Sequence, residues 1–79
     1  MTEQETQRKQ KDALGKLWKY YGLNKKRMSE AFGVSRMTVH NWFVRGRISA
    51  TKAIIAEELT GGEITKEELR PDVTEWFGL

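Results

Sequence analysis

A short turn around Gly33 constrains this chain more than any other feature, because residues that end and start helices flank it closely. Asn24 is a favourable N-cap and predicts a helix over residues 25 to about 32. Gly33 suits the left-handed conformation that ends many helices, and soon afterwards Ser35 provides a second N-cap. The next helix is therefore predicted over residues 36 to about 45. Two short helices joined by a turn of about three to four residues form a helix-turn-helix arrangement.

An amphipathic helix is predicted before this motif. Four apolar residues fall at positions i, i+3, i+4 and i+7, which places them on one face of a helix: Leu14, Leu17, Trp18 and Tyr21. Gly22 is predicted to end this helix in the left-handed conformation. Leu23 and Met28 have the spacing of a hydrophobic staple around Asn24.

Two further helical segments are predicted after the motif. Ser49 provides an N-cap for a fourth helix, which ends in a pair of glycines, Gly61 and Gly62. That helix contains three large apolar residues: Ile54, Ile55 and Leu59. Thr65 and Glu68 have the spacing of a capping box and predict a last helical turn before a proline.

The composition predicts one all-α domain, a small helix-turn-helix bundle of about five helices. A chain of 79 residues with 38% hydrophobic content has enough apolar surface for one core, and the absence of cysteine leaves packing to stabilise it. We assign the helix-turn-helix bundle to residues 12–73 and an aromatic tail to residues 74–79. Residues 1–11 form a polar extension with no apolar residue after Met1, so we expect them to be disordered.

The length and distribution of the apolar runs predict a cytoplasmic protein. No run approaches the roughly 20 residues that a membrane span needs, so no membrane partner is expected.

Charge is divided unevenly along the chain. Residues 1–48 hold eleven lysines and arginines against four acids, a net charge of +7. Residues 49–79 hold three basic residues against seven acids, a net charge of −4, so the two parts account for the total of +3. The first part is therefore expected to face a polyanion such as nucleic acid.

The third predicted helix has one apolar face and one face of long polar side chains. Val39, Trp42 and Phe43 fall within a narrow arc and are expected to face inward, so the tryptophan is interpreted as core. The opposite face carries the residues predicted to read base edges in the major groove: Arg36, Met37, His40 and Asn41. By the chemistry of direct readout, Arg36 matches the acceptors of guanine, Asn41 the edge of adenine and Met37 the methyl group of thymine.

A second set of residues is predicted to bind phosphates of the DNA backbone. Ser35 and Thr38 lie at the start of the third helix, where the helix dipole favours an anion. The basic members lie at the edges of the motif: Lys25, Lys26, Arg27, Arg45 and Arg47. The run from Lys25 to Arg27 also fits an ordinary solvated helix face, and both interpretations stay open.

No catalytic or metal-binding arrangement is predicted, so we expect neither an enzyme nor a cofactor. His40 has no second histidine or clustered carboxylate near it, which argues against a metal site. Glu57, Glu58, Glu67 and Glu68 are expected to be exposed, without the burial that raises a carboxyl pKa for acid catalysis.

The sequence resembles the Cro-like, YdaS-type regulators of prophages. The resemblance covers about residues 14–73 and depends on three stretches, which run from Gly33 to Ile48, from Glu57 to Gly62 and from Ile64 to Val73. It implies an all-helical repressor fold of the lambda-repressor or Cro type, and binding to a double-stranded DNA operator, with a homodimer expected. Some relatives are catalogued as antitoxins, so the resemblance also leaves a protein partner open.

Several alternatives remain at this stage. An antitoxin binds a protein toxin as well as DNA. An RNA-binding or protein-interaction module with a basic face binds nucleic acid without sequence preference. An ordinary helical bundle, whose turn only reverses the chain, is the simplest alternative. The tail with Val73, Trp76 and Phe77 either exchanges with a partner to form a dimer or covers its own core.

Overall fold

Five α-helices and a closing 3₁₀ helix make up the fold. The computed structural model describes residues 2–77, and within this range there is no strand. The helices are α1 (Glu3–Tyr20), α2 (Lys25–Phe32), α3 (Arg36–Arg45), α4 (Ala50–Leu59) and α5 (Lys66–Leu69), followed by the 3₁₀ helix Thr74–Phe77. The predicted all-α helix-turn-helix bundle is confirmed. No helix in this range is both long and apolar enough to cross a membrane.

Four of the five helices begin at the N-caps that the sequence predicts. The side chains of Asn24, Ser35, Ser49 and Thr65 each accept a hydrogen bond from the backbone N–H three residues later, at 3.1 to 3.3 Å. Such a cap contributes typically about 1 kcal/mol, because it satisfies a donor that the helix leaves free.

Helix α1 begins much earlier than predicted. Thr2 caps it by accepting from the N–H of Glu5 at 3.2 Å, so residues 3–11 are helical and the expectation of a disordered extension is wrong for them. Gln10 is buried, and its Nε2 donates to Oδ1 of Asp72 at 3.0 Å. Glutamate, glutamine, lysine and arginine are good helix formers, and this distant contact supplies the stabilisation that apolar burial does not.

All five helices contribute to the core. Its most deeply buried large side chains come from α1, α2, α3 and α5 and from the segment after α3: Leu17, Met28, Val39, Ile48 and Leu69. Trp42 is 6% exposed and packs edge-to-face on Phe32 at 5.3 Å between ring centroids. This confirms the interpretation of Trp42 as a core residue.

Helix α4 packs through its small residues. Ala53 and Ala56 are fully buried, whereas Ile54 and Leu59 stay 40% and 42% exposed. Alanine lets α4 approach α2 and α5 closely, which leaves the larger apolar side chains toward solvent.

The turn between α1 and α2 contains two left-handed residues. Gly22 has φ +70°, as predicted, but Leu23 also has φ +58° and its side chain is 57% exposed. The N–H of Leu23 donates to the carbonyl of Trp18 at 2.9 Å and closes the end of α1. This geometry turns Leu23 outward, so the side chain is not buried as a hydrophobic staple would be.

Candidate nucleic-acid interface

The turn between α2 and α3 has the tight geometry that a helix-turn-helix needs. Gly33 adopts φ +67°, and the N–H of Val34 donates to the carbonyl of Ser29 at 3.0 Å. Ser29 is 6% exposed, and its hydroxyl donates to the carbonyl of Lys26 at 2.7 Å. This small residue occupies the space between the helices without leaving a buried hydroxyl unpaired.

Helix α3 presents the predicted readout face to solvent. Val39 is fully buried and Trp42 nearly so, which fixes the rotation of the helix. All four residues predicted to read bases are exposed on the other side: Arg36, Met37, His40 and Asn41. Met37 is 66% exposed, a high value for an apolar side chain in a chain of this size. An exposed methionine on a polar helix face is suited to an apolar contact with a ligand.

Lys25 and His40 contact each other across the motif. Nζ of Lys25 lies 3.2 Å from Nδ1 of His40 and 5.7 Å from the ring centroid of Phe43. An ammonium group only donates, so a hydrogen bond between the two groups uses Nδ1 as its acceptor. The other ring nitrogen, Nε2, has no contact of this kind within the described residues. Lys25, half-buried, is fixed in place by these contacts.

The residues predicted to bind phosphate lie in three places: the start of α3, the start of α2 and the end of α3. Near the start of α3, Ser35 is exposed, but its hydroxyl oxygen already accepts from the N–H of Thr38 and contacts the Thr38 hydroxyl at 3.0 Å. Lys26 and Arg27 are exposed on α2. Arg45 lies at the other end of α3, about 14 Å along the helix axis from Arg36, and Arg47 follows just after the end of the helix.

The far end of α3 lies beside the N-terminal half of α1. Gln7 and Lys11 of α1 line an open groove of about 470 Å³ together with Arg45 and Arg47. Gln7 and Lys11 are not among the residues predicted from the sequence to contact DNA. Their only local signal is helix propensity, and their position follows from the packing of α1, which no spacing in the sequence reveals.

The ion pairs within the described residues involve the acidic part of the chain, residues 49–79. Four ion pairs form within residues 2–77, and all of them involve acids that follow α3 in the sequence: Lys16 with Glu68, Lys66 with Glu57, Lys66 with Glu67, and Arg70 with Asp72. None of the basic residues predicted to contact DNA takes part in them. Their positive charge is therefore available to an external anion.

The C-terminal segment folds back on its own chain. Nε1 of Trp76 donates to the carbonyl of Arg70 at 3.0 Å, and Nζ of Lys66 lies 5.5 Å from the centre of the Trp76 ring. Trp76 is half-buried by these contacts. Residues 78 and 79 and the Phe77 side chain, which belong to the predicted aromatic tail, lie outside the described part of the structure. In the part of the chain that the structure describes, no group of three or more histidines and carboxylates has the arrangement of a metal site.

Comparison with known protein families matches residues 21–76 to the family described as bacterial toxin YdaS. The match covers more than half of the 79 residues and begins after α1. Searches of curated proteins and of solved structures found no match. The family match confirms the YdaS-type resemblance and narrows the function to a small prophage-type regulator or a toxin–antitoxin-related protein. The chain belongs to the bacterial toxin YdaS family.

Proposed function

We propose that the chain is a sequence-specific, double-stranded DNA-binding transcription regulator that places α3 in the major groove. One observation carries the proposal. Helix α3 buries Val39 and Trp42 against the core, and by doing so directs a continuous face of long polar side chains and one methionine away from the protein. The major groove admits an α-helix and displays a different donor and acceptor pattern for each base pair.

The side chains of this face have distinct base partners. Arg36 donates two hydrogen bonds to O6 and N7 of guanine, and Asn41 pairs with N6 and N7 of adenine. Met37 contacts the methyl group of thymine. His40 contacts the edge of the groove, and the ammonium group of Lys25 lies beside its Nδ1 and orients the ring.

Phosphate contacts fix the position of α3 without reading sequence. Lys26 and Arg27 approach one strand from α2, and Arg45 and Arg47 approach the backbone at the other end of α3. Ser35 and Thr38 supply hydroxyl groups at the helix start, and Lys25 adds charge behind them. Counterion release by these contacts makes affinity fall steeply with salt.

The regulator acts as a Cro-like repressor in the cytoplasm and binds its operator as a homodimer, so that the two-fold axis of the protein matches a palindromic site. Selection of bound duplexes from a random DNA pool at near-physiological salt tests this directly. The expected result is enrichment of a palindrome with half-sites about one helical turn apart. A pool that stays random after repeated rounds contradicts sequence-specific binding.

A second candidate is a component of a toxin–antitoxin pair that binds a protein partner. The matched family is described as a bacterial toxin, and Val44 and Met37 on α3 are 71% and 66% exposed, as in a protein-binding surface. Co-expression with the genes that flank this one tests it. A stable complex that buries α3 and excludes DNA favours this candidate. The DNA-binding regulator is favoured if the duplex selection enriches a palindrome and no co-expressed protein covers α3.

A further inference from the structure

The groove between α1 and the end of α3 has a basic lining that the function proposed above leaves partly unused. Its charged residues are Lys11, Arg45, Arg47 and one carboxylate, Glu3. The end of α3 adds the partial negative charge of a helix C-terminus, about half an elementary charge. Three cations exceed these two negative contributions, so the groove attracts an anion.

Lys11 is held in this groove by the shape of the backbone. Gly46 is buried with φ +77°, and a Cβ placed on it would lie 3.0 Å from Cε and 3.2 Å from Cγ of Lys11. The aliphatic stem of Lys11 therefore packs on the bare Cα of Gly46. This contact places the ammonium group of Lys11 at the end of α3, beside Arg45 and Arg47.

The length of α3 places this end at the wall of the DNA groove. Ten residues of helix extend about 15 Å, whereas the major groove is about 12 Å wide. When the side chains of Arg36 and Asn41 reach base edges, the C-terminal end of α3 meets the sugar–phosphate backbone. The groove beside it opens where a phosphate runs past.

We infer that the groove between α1 and α3 binds a backbone phosphate of the duplex, with Lys11 as an additional phosphate-binding residue next to Arg45 and Arg47. The inference rests on the proposed DNA-binding function. Lys11 lies outside the family match, which starts at residue 21, whereas Arg45 and Arg47 lie within it. Helix α1 thereby extends the nucleic-acid interface beyond the helix-turn-helix itself.

The test compares Lys11→Met with Lys9→Met in the full chain. Both substitutions remove one charge from α1 and keep an aliphatic stem. Lys9 lies on the other side of the helix, where it lines a different surface together with Asp12 and Glu67. Binding to a duplex of unselected sequence and to the selected duplex is measured between about 50 and 200 mM salt.

The expected result for Lys11→Met is weaker binding to both duplexes and a salt slope smaller by about 1, with the ratio of their affinities unchanged. Lys9→Met is expected to keep the wild-type slope. If the two variants share one slope, the inference is wrong while the proposed function stands. If the wild-type chain binds neither duplex, the proposed function fails and the inference fails with it.

Two further measurements separate phosphate binding from other roles of Lys11. Thermal unfolding of both variants is expected to coincide. If Lys11→Met lowers the melting temperature and leaves the salt slope unchanged, Lys11 only stabilises the end of α3, and the inference is overturned. In the second measurement, the wild-type chain and Lys11→Met are each titrated with inorganic phosphate at constant ionic strength, and their affinities for phosphate are compared. Binding of free phosphate that depends on Lys11, without any change in the DNA salt slope, also overturns it.

Discussion

Asn41 and Lys26 are both exposed polar residues of the helix-turn-helix, yet they meet different parts of a duplex in the proposed complex. An amide on α3 faces base edges, whose pattern changes with sequence. An ammonium group on α2 faces phosphates, which are the same at every step. The two side chains therefore contribute to affinity in ways that competition experiments distinguish.

Substitution of Asn41 by alanine is expected to weaken binding to the selected site by about 1–3 kcal/mol and to relax specificity at one base pair. Lys26→Met is the matched control and is expected to weaken all duplexes alike. Competition between the selected duplex and duplexes substituted at single positions measures both effects. Equal losses on every duplex for Asn41→Ala contradict its role in base readout.

At the scale of the element, two glycines illustrate opposite requirements. Gly15 lies inside α1, where an added Cβ meets nothing within 4 Å. Gly33 also has free space around it, but its φ of +67° belongs to the left-handed region that other residues enter at a cost. The same substitution therefore has opposite consequences at the two positions.

Gly15→Ala is expected to raise the free energy of unfolding by about 0.5–1 kcal/mol, because alanine loses less backbone entropy in a helix. Gly33→Ala is expected to lower it by about 1–2 kcal/mol. Urea unfolding of the two variants beside the wild type measures both changes. The first expectation is contradicted if Gly15→Ala lowers the free energy of unfolding. The second is contradicted if Gly33→Ala leaves it unchanged.

At this scale, the sequence predicts features that depend on neighbouring residues and misses features that depend on residues far away in the chain. The caps at Asn24 and Ser35 were predicted because a side chain and the N–H three residues later settle them locally. The early start of α1 was missed because its buried Gln10 depends on Asp72, 62 residues away. The burial of Ala53 has no local signal in the sequence for the same reason, since it depends on the helices packed against α4.

The readout face of α3 was predicted in part, because some of its features are local and others depend on distant contacts. Its exposed residues follow from helical periodicity and from the inward position of Trp42, so they were predicted. The contact between Lys25 and His40 was not, because it depends on how α2 and α3 cross. The groove at Lys11 depends on the path of α1 and has no local signature at all.

At the scale of the whole molecule, Asp72 connects distant parts of the chain. Its carboxylate accepts from Nε and Nη2 of Arg70 at 2.9 Å and from Gln10, while Nη1 of Arg70 donates to the carbonyl of Ile48 at 3.1 Å. The hydrogen bonds from Arg70 lower the pKa of Asp72 to about 2. This cluster joins α1, the segment after α3 and the C-terminal turn.

Asp72→Asn is expected to destabilise the protein near neutral pH by about 1 kcal/mol, a value discounted for the solvent around the pair. The pKa of this carboxyl is lower in the folded chain than its ordinary value near 3.9, so its contribution is complete above about pH 4 and disappears as the pH falls through about 2. Urea unfolding at neutral pH and near pH 2 measures the difference from the wild type. Asp12→Asn, on an exposed part of α1, is the control. A difference between Asp72→Asn and the wild type that stays constant with pH contradicts the assignment.

The hydrogen bond between Gln10 and Asp72 also has a consequence for the order of events during synthesis. Closing a loop of 62 residues costs conformational entropy that the short loops between neighbouring helices do not. A ribosome adds Gln10 to the chain 62 residues before it adds Asp72, so this hydrogen bond forms only after the helices between them have been made. Gln10 is thus made early and acquires this native contact late.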